Sequence, residues 1–328
     1  MAIKSLTQLV RLAAAAATIA GLAAPVAAPA QTFPSKPVRL VVPNPPGGSI
    51  DIVARVFANS LQPMWNQSVL VEYKPGGGTI VGTDFVAKSA PDGHTIGFVV
   101  TAHVINPSVR SSMPFDTVKD LSGITLIGIA DVLMSATPAL PANNLQEVIA
   151  LVKKQPGKLN YASPGSASAM HLAGELLKLQ AGIDIVHVPF KGNAPAFPEV
   201  FSGRVELIID PLLSSIPHVK AGRLKPIAVT GAKRSSAAPD IPAIGEVFSG
   251  YNVQSLNGVV VPSGTPRGSV RRLNADFLKA MQSPEMKTRM AEFGLQPVGN
   301  SPEEFDALIR SEIDKWAKVA KAVNIKVD

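Results

Sequence analysis

Val38-Arg39-Leu40-Val41-Val42 runs into Pro43-Asn44-Pro45-Pro46-Gly47-Gly48-Ser49, after which Ile50, Val53, Ala54, Phe57 and Leu61 recur at helical spacing. A β-branched apolar run, a Pro/Gly loop and a one-sided apolar stretch predict a strand, a turn and a helix. The unit repeats at once. Val69–Tyr73 leads into Lys74-Pro75-Gly76-Gly77-Gly78-Thr79 and a helical stretch over 80–90, and a strand at Thr95–Val100 follows the turn Pro91-Asp92-Gly93. Parallel strands need crossover connections, so this alternation predicts an α/β fold with a parallel sheet.

A second series follows. Helical patterns at Leu145–Lys154, 168–180, 194–201 and 214–221 alternate with short strands at 159–162, 185–188, 205–209 and 227–229. The C-terminus reads as all helix, over 266–282, 284–293 and 302–323, each with Thr or Ser at the cap and Pro first inside, and Ser301-x-x-Glu304 is a capping box. Two α/β series and a helical tail predict two lobes, with the apolar stretches 124–134 and 253–261 as crossing strands. The first lobe then comprises 31–128 plus 254–328 and the second 129–253.

Residues 1–30 stand apart. Lys4 and Arg11 precede an Ala-rich apolar run that ends in Ala28-Pro29-Ala30, a small-x-small exit, with Gln31 as the first mature residue. The run falls short of the roughly 20 apolar residues that span a bilayer, so it reads as a cleavable export signal. Cleavage leaves 298 of 328 residues, and the loss of Lys4 and Arg11 takes the formal charge from +7 to +5. A soluble product in the periplasm is expected. The chain has no cysteine, which removes disulfides, thiolate metal sites and a cysteine nucleophile.

In open parallel sheets, ligands bind beyond the carboxyl ends of the strands. The loops there are 44–49, 76–79, 101–103, 163–168 and 210–211, and they offer glycine and small hydroxyls rather than catalytic acids. Two lead straight into helices, whose first N–H groups and partial positive charge suit an anion. The plainer alternative is that the glycines only turn the chain and Ser49 and Ser168 only cap helices. Asp210, at the end of an apolar strand, is either a turn cap or an acceptor facing the cleft.

Other chemistries lack their patterns. Gly76-Gly77-Gly78-Thr79 has no Gly-Lys-Ser/Thr ending, and neither G-x-G-x-x-G nor G-x-S-x-G occurs. The five histidines, at 94, 103, 171, 187 and 218, form no metal-ligand spacing, so neither a cofactor nor a metal is expected. His171, three residues after Ser168, reads as a structural hydrogen-bonding group, and His187 as a satisfied core residue. A hydrolase built on Ser168, His171 and Asp210 is the rival reading. Arg267, Arg271, Arg272, Lys279, Lys287 and Arg289 are interspersed with acids and not with aromatics, a solvated face rather than a nucleic-acid surface.

Longer motifs are more specific. The run from Pro37 to Asp51 is joined by Ala87-Lys88-Ser89-Ala90-Pro91-Asp92-Gly93, Leu159-Asn160-Tyr161-Ala162-Ser163, His171-Leu172-Ala173-Gly174-Glu175 and His187-Val188-Pro189-Phe190-Lys191-Gly192. Ala228-Val229-Thr230, Ala232-Lys233-Arg234 and Ser301-Pro302-Glu303-Glu304-Phe305 continue the series. In this order they resemble the Bug receptors, the extracytoplasmic solute-binding proteins of the tripartite tricarboxylate transporters. The resemblance implies a two-lobed periplasmic binding protein fold of type II with crossing hinge strands. It implies a non-enzymatic receptor for a small carboxylate, a mono-, di- or tricarboxylate or an aromatic acid, held through backbone amides, small hydroxyls and ordered waters. Delivery to membrane transporter subunits is implied, with a sensor as the alternative, and a monomer is expected.

Carried onto this sequence, the resemblance points to Asn44, Gly47, Gly48 and Ser49 on one side of the cleft and to Ser163, Gly165, Ser166, Ala167 and Ser168 on the other. Thr101, His103 and Asp210 are expected to line it. The facing loop departs from the family's frequent G-N-G-T-S-S-H, reading Gly165-Ser166-Ala167-Ser168-Ala169-Met170-His171, with fewer hydroxyls. Asn257 stands near where members often carry aromatics and is a candidate to bond a second polar group.

Overall fold

A computed structural model describes residues 33–327 apart from 48, 191, 293 and 323, together with all but the side chain of Ser49. The export signal expected over 1–30 lies outside the described residues. From Lys36 onward the chain forms one compact unit, in which eleven described strands make two sheets.

The first sheet has the order β2-β1-β3-β10-β4-β11, where β1 is Val38–Val42, β2 Val69–Tyr73, β3 Thr95–Val100, β4 Leu121–Ala130, β10 Ser255–Pro262 and β11 Leu295–Pro297. β1 pairs in parallel with β2 and β3, as the strand–loop–helix pattern requires, whereas β10 runs antiparallel between β3 and β4. The second sheet has the order β7-β6-β8-β5-β9, from β5 Val132–Ala136, β6 Asn160–Ser163, β7 Val186–Pro189, β8 Leu207–Pro211 and β9 Lys225–Val229. The molecule is two-lobed.

The apolar stretch 124–134 does cross between the sheets: β4 ends at Ala130, β5 begins at Val132, and only Asp131 lies between them. Its carboxylate accepts from Gln254 Nε2 at 2.8 Å and from Gln296 Nε2 at 2.6 Å, tying the outgoing chain to the returning one and to β11. The return differs from the expectation for 253–261. β10 belongs wholly to the first sheet, and the crossing is the irregular stretch before it, pinned where Val253 N donates to Thr230 O at 2.8 Å.

Ten described α-helices cover the sheets: α1 Ser49–Trp65, α2 Ile80–Ala87, α3 Ala102–Val109, α4 Leu145–Lys154, α5 Ala169–Ala181, α6 Ala196–Phe201, α7 Leu212–Lys220, α8 Arg267–Met281, α9 Pro284–Glu292 and α10 Pro302–Ala322. The C-terminus is therefore not all helix, because β11 separates α9 from α10. Ser283 and Ser301 cap their helices, each hydroxyl accepting an amide three residues on at 3.2 Å. Thr265 does not: its hydroxyl donates to Pro262 O. α10 lies against β4, α3 and α5. Its Phe305, Ile309 and Trp316 share one buried apolar cluster with Leu172 and Leu176 of α5, so the core is continuous through both lobes. Among the described residues no helix is long and apolar enough to cross a membrane.

Gly174 of α5 is fixed by close approach: a Cβ there would stand 2.4 Å from the ring of Tyr161. That ring cannot retreat, being fully buried with its hydroxyl bonded to Glu175 Oε1 and His171 O. Gly174→Ala is expected to lower stability by about 1–3 kcal/mol through overpacking, read as a drop in the midpoint of thermal unfolding.

Candidate functional site

The loop after β1 is held from below by one acid. Asp51, in the first turn of α1 and 3% exposed, accepts from Gly47 N at 2.7 Å, Tyr73 Oη at 2.6 Å and Arg55 Nε at 2.7 Å. Burial alone would raise its pKa, but these three donors together hold the carboxyl below the ordinary aspartate value. Asn44, in the same loop, has a buried Oδ1 with no partner among the described residues.

The loop after β2 is also clamped. Gly77, Gly78 and Thr79 adopt left-handed φ values of 56°, 64° and 80°. Asn106 Nδ2 donates to Gly78 O at 2.9 Å, Arg110 Nη2 to Gly77 O at 3.0 Å, and Arg110 Nε to Asn106 Oδ1 at 3.2 Å. A non-glycine residue at positive φ is strained, and Thr79 keeps that geometry under a clamp supplied by α3 and the residue after it.

On the facing lobe, β6 ends at Ser163 and the chain turns through Pro164–Ser168 into α5. Ser168 caps the helix, its hydroxyl accepting from His171 N at 3.1 Å and donating to Gly165 O at 2.7 Å. Ala167 stands at φ 60°, and its amide donates to His171 Nδ1 at 3.2 Å. The His171 ring stacks on His187 with 3.8 Å between centroids, and His187 Nε2 bonds Ser163 Oγ at 2.6 Å. Burial, with His171 and Lys178 nearby, pushes His187 down to about 3, and burial also lowers His171, so two neutral imidazoles brace the turn. The first helical bond of α5 runs from Leu172 N to Ser168 O. The amides of Ala169 and Met170 lie ahead of it and are left for another acceptor.

These elements surround two adjoining cavities, of about 340 and 230 Å³, which share Asn44, Val100, Met170 and Ser255. Of the residues expected in the lining, Asn44, Thr101, Gly165, Ser166, Ala167 and Ser168 line the larger, and Asn257 the smaller. Gly48 lies outside the described residues, and Ser49 is described only as the first residue of α1.

Gly47, His103, Ser163 and Asp210, also expected there, line neither cavity. Gly47 is exposed, its amide engaged by Asp51. His103 lies on α3 at 2% exposure, neither ring nitrogen has a partner among the described residues, and burial pushes it down to about 4. Ser163 is fully buried and occupied by His187 and Gly165. Asp210 is also fully buried, and Ser215 Oγ donates to its Oδ2 at 3.1 Å, while β8 presents the next residue, Pro211, to the smaller cavity.

The sequence pattern gives no signal for Asn106, Ser255 or the role of Asp51, whereas Gly78 and Thr79 lie in one of the expected cleft loops. Asn106 sits in a helix concealed by Pro107, and no local pattern signals its reach across 28 residues. Among the described residues no side-chain-to-side-chain hydrogen bond joins Ser168, His171 and Asp210: the hydroxyl takes the His171 backbone amide as a helix cap, the imidazole accepts from Ala167 N, and the acid accepts from Ser215. The relay that a hydrolase needs is not assembled.

A profile described as the tripartite tricarboxylate transporter family receptor matches residues 53–325. Protein BugT of Bordetella pertussis is 32% identical, with 94% of this chain and 95% of that protein covered. Among solved structures, R. palustris Rpa4515 with adipate is 33% identical at a TM-score of 0.79, covering 90% of this chain and 99% of its own. MatC from Rhodopseudomonas palustris with bound malate is 28% identical at a TM-score of 0.75, covering 88% and 99%.

Proposed function

The chain belongs to the tripartite tricarboxylate transporter receptor family, and from that premise we propose that it captures a small carboxylate between its lobes and passes it to membrane transporter subunits. The observation that carries the reading is the α5 N-terminus, whose Ala169 and Met170 amides lie ahead of the first helical bond on a wall of the larger cavity shared with Asn44, Thr79 and Thr101. A helix start supplies N–H donors and partial positive charge to an anion with no formal cation required.

The lobes are those expected, 31–128 plus 254–328 and 129–253, with Ile129 and Ala130 added to the first because they pair with β10, and the signal over 1–30 directs the chain to the periplasm. The family is one of substrate-binding receptors, and the chemistry of this cleft is binding without turnover. Closure follows from mass action: a carboxylate that touches the first lobe and α5 at once binds the closed state better and shifts the population toward it. Asp131, bridging Gln254 and Gln296, lies where the chain crosses and where that motion has to be absorbed.

The test is thermal shift and calorimetry of the mature chain against a panel of carboxylates, with recovery of the ligand afterwards. A ligand present at a hundred times its Kd is expected to stabilise the protein by about 2.7 kcal/mol and to be recovered intact. A panel that is inert throughout, or a ligand that is consumed, overturns the proposal.

A further inference from the structure

The two cavities differ in character, and the difference bears on what lies beyond the carboxylate. The larger one has the α5 start, Asn44 and Thr101 around it. The smaller one is walled by Ile50, Val53, Val100, Met170, Pro211 and Leu295, from both lobes. Its polar groups are few and uncharged. Besides Asn44 it holds Ser255, whose hydroxyl is 3.5 Å from Thr101 Oγ1, and the half-buried Asn257, whose amide makes no hydrogen bond with the described residues. Among the described residues, no Lys, Arg or His lines either cavity. Arg110, which stands beside the loop after β2, is turned to Gly77 O and Asn106 Oδ1.

We infer that the cleft selects monocarboxylates with an uncharged, largely apolar body, lodging the carboxylate at the α5 start and the body against Val53, Met170 and Leu295. A second carboxylate in the smaller cavity would lose its water and gain no opposite charge there, a cost that aliphatic walls cannot offset. An apolar body gains from the same transfer, at roughly 25 cal/mol per Å² buried. Size agrees: an apolar cavity of about 150 Å³ takes a benzene ring, and the smaller cavity has about 230 Å³. The free Asn257 amide suits at most one uncharged polar substituent on that body. This inference rests on the carboxylate reading above.

The experiment is calorimetric titration of the mature chain with matched pairs, hexanoate against adipate, butyrate against succinate and phenylacetate against its ring-carboxylated analogue. The monocarboxylate of a pair is expected to bind roughly tenfold or more tightly. A dicarboxylate that binds as well as or better than its partner overturns the inference and leaves the receptor reading standing. If no member of either class binds, both fall. Asn257→Lys, which adds a cation to the smaller cavity, is expected to move the mono-to-dicarboxylate ratio roughly tenfold toward the dicarboxylate, and an unchanged ratio overturns the assignment of that cavity to the ligand's body. Val53→Lys is the deeper version of the same test. Because Val53 is 1% exposed, the half-buried Asn257 carries the conclusion if Val53→Lys does not fold.

Discussion

Replacing Asp51 with Ala is expected to lower the unfolding free energy by about 3 kcal/mol and to weaken ligand capture by roughly a hundredfold. The carboxylate is buried and accepts three hydrogen bonds at 2.6–2.7 Å. Its removal strands the half-buried Tyr73 hydroxyl, and an orphaned polar group near the interior costs about 1–3 kcal/mol, while the exposed Gly47 loses the acceptor that fixes it and turns its amide to water. The Arg55 contribution is smaller, because its side chain is 55% exposed and solvent screens the pair. Binding suffers because Asp51 fixes Gly47, and with it the path from Asn44 into α1. Asp51→Asn keeps one acceptor and is expected to fall between. The pH dependence has a definite sign. A carboxyl with a lowered folded pKa contributes stability present above its unfolded value near 3.8 and lost as pH falls through the folded one. Urea unfolding with calorimetry on both variants checks this. An Asp51→Ala protein that is stable within 1 kcal/mol, or that binds normally, would refute the role.

Asp51 also illustrates what the sequence makes legible. β1, β2 and β3 take the bounds that their apolar runs predict, for β1 and β3 because a strand buried on both faces is written as a continuous apolar stretch, while β2 sits at the sheet edge with Leu70 exposed and keeps its bounds through the Pro/Gly loop that ends it. The glycine loops at strand ends are visible for the same kind of reason, since only certain residues turn the chain there. Depth and partnership are less legible. His103 and Asp210 stand in or beside predicted cleft loops, yet the first turn of α3 and the pleat of β8 bury them, and one residue of rotation decides between cavity and core. α3 itself is hidden because Ala102–Val109 mixes β-branched residues with Pro107, and β11 because three residues are too few to show an alternation. Asn106 follows from neither: its value lies in a contact with a loop 28 residues away. His187 is bonded as expected, through Ser163, but it is half-buried on an edge strand whose Val186 is 43% exposed, so its neighbours do not bury it.

The buried ionisable groups give the second large prediction, because two of them oppose one another. His103 falls from 6.5 to about 4 on burial. A group with a depressed folded pKa stays neutral in the native state while the unfolded chain takes up a proton, so stability is lost as pH falls from 6.5 toward 4, by about 3 kcal/mol for this residue. Asp210 runs the other way. Burial raises it from 3.8 to about 7 against the pull of the Ser215 hydroxyl, so the native state holds a proton that the unfolded chain has released. Its penalty grows as pH rises from 3.8 to 7 and reaches about 4 kcal/mol above that. Between pH 6.5 and 4 the two nearly cancel, and the stacked His171 and His187, both lowered, tip the balance toward loss in acid. The wild-type protein is therefore expected to show only a moderate acid slope, while its variants separate the components. Asp210→Asn is expected to be more stable than wild type at pH 8 by as much as about 4 kcal/mol and to lose stability in acid more steeply. His103→Gln is expected to flatten the acid limb. Urea unfolding of the three proteins at intervals from pH 4 to 8 measures both slopes. If Asp210→Asn follows the wild-type curve, Asp210 is ionised in the native state throughout, and the cancellation does not exist.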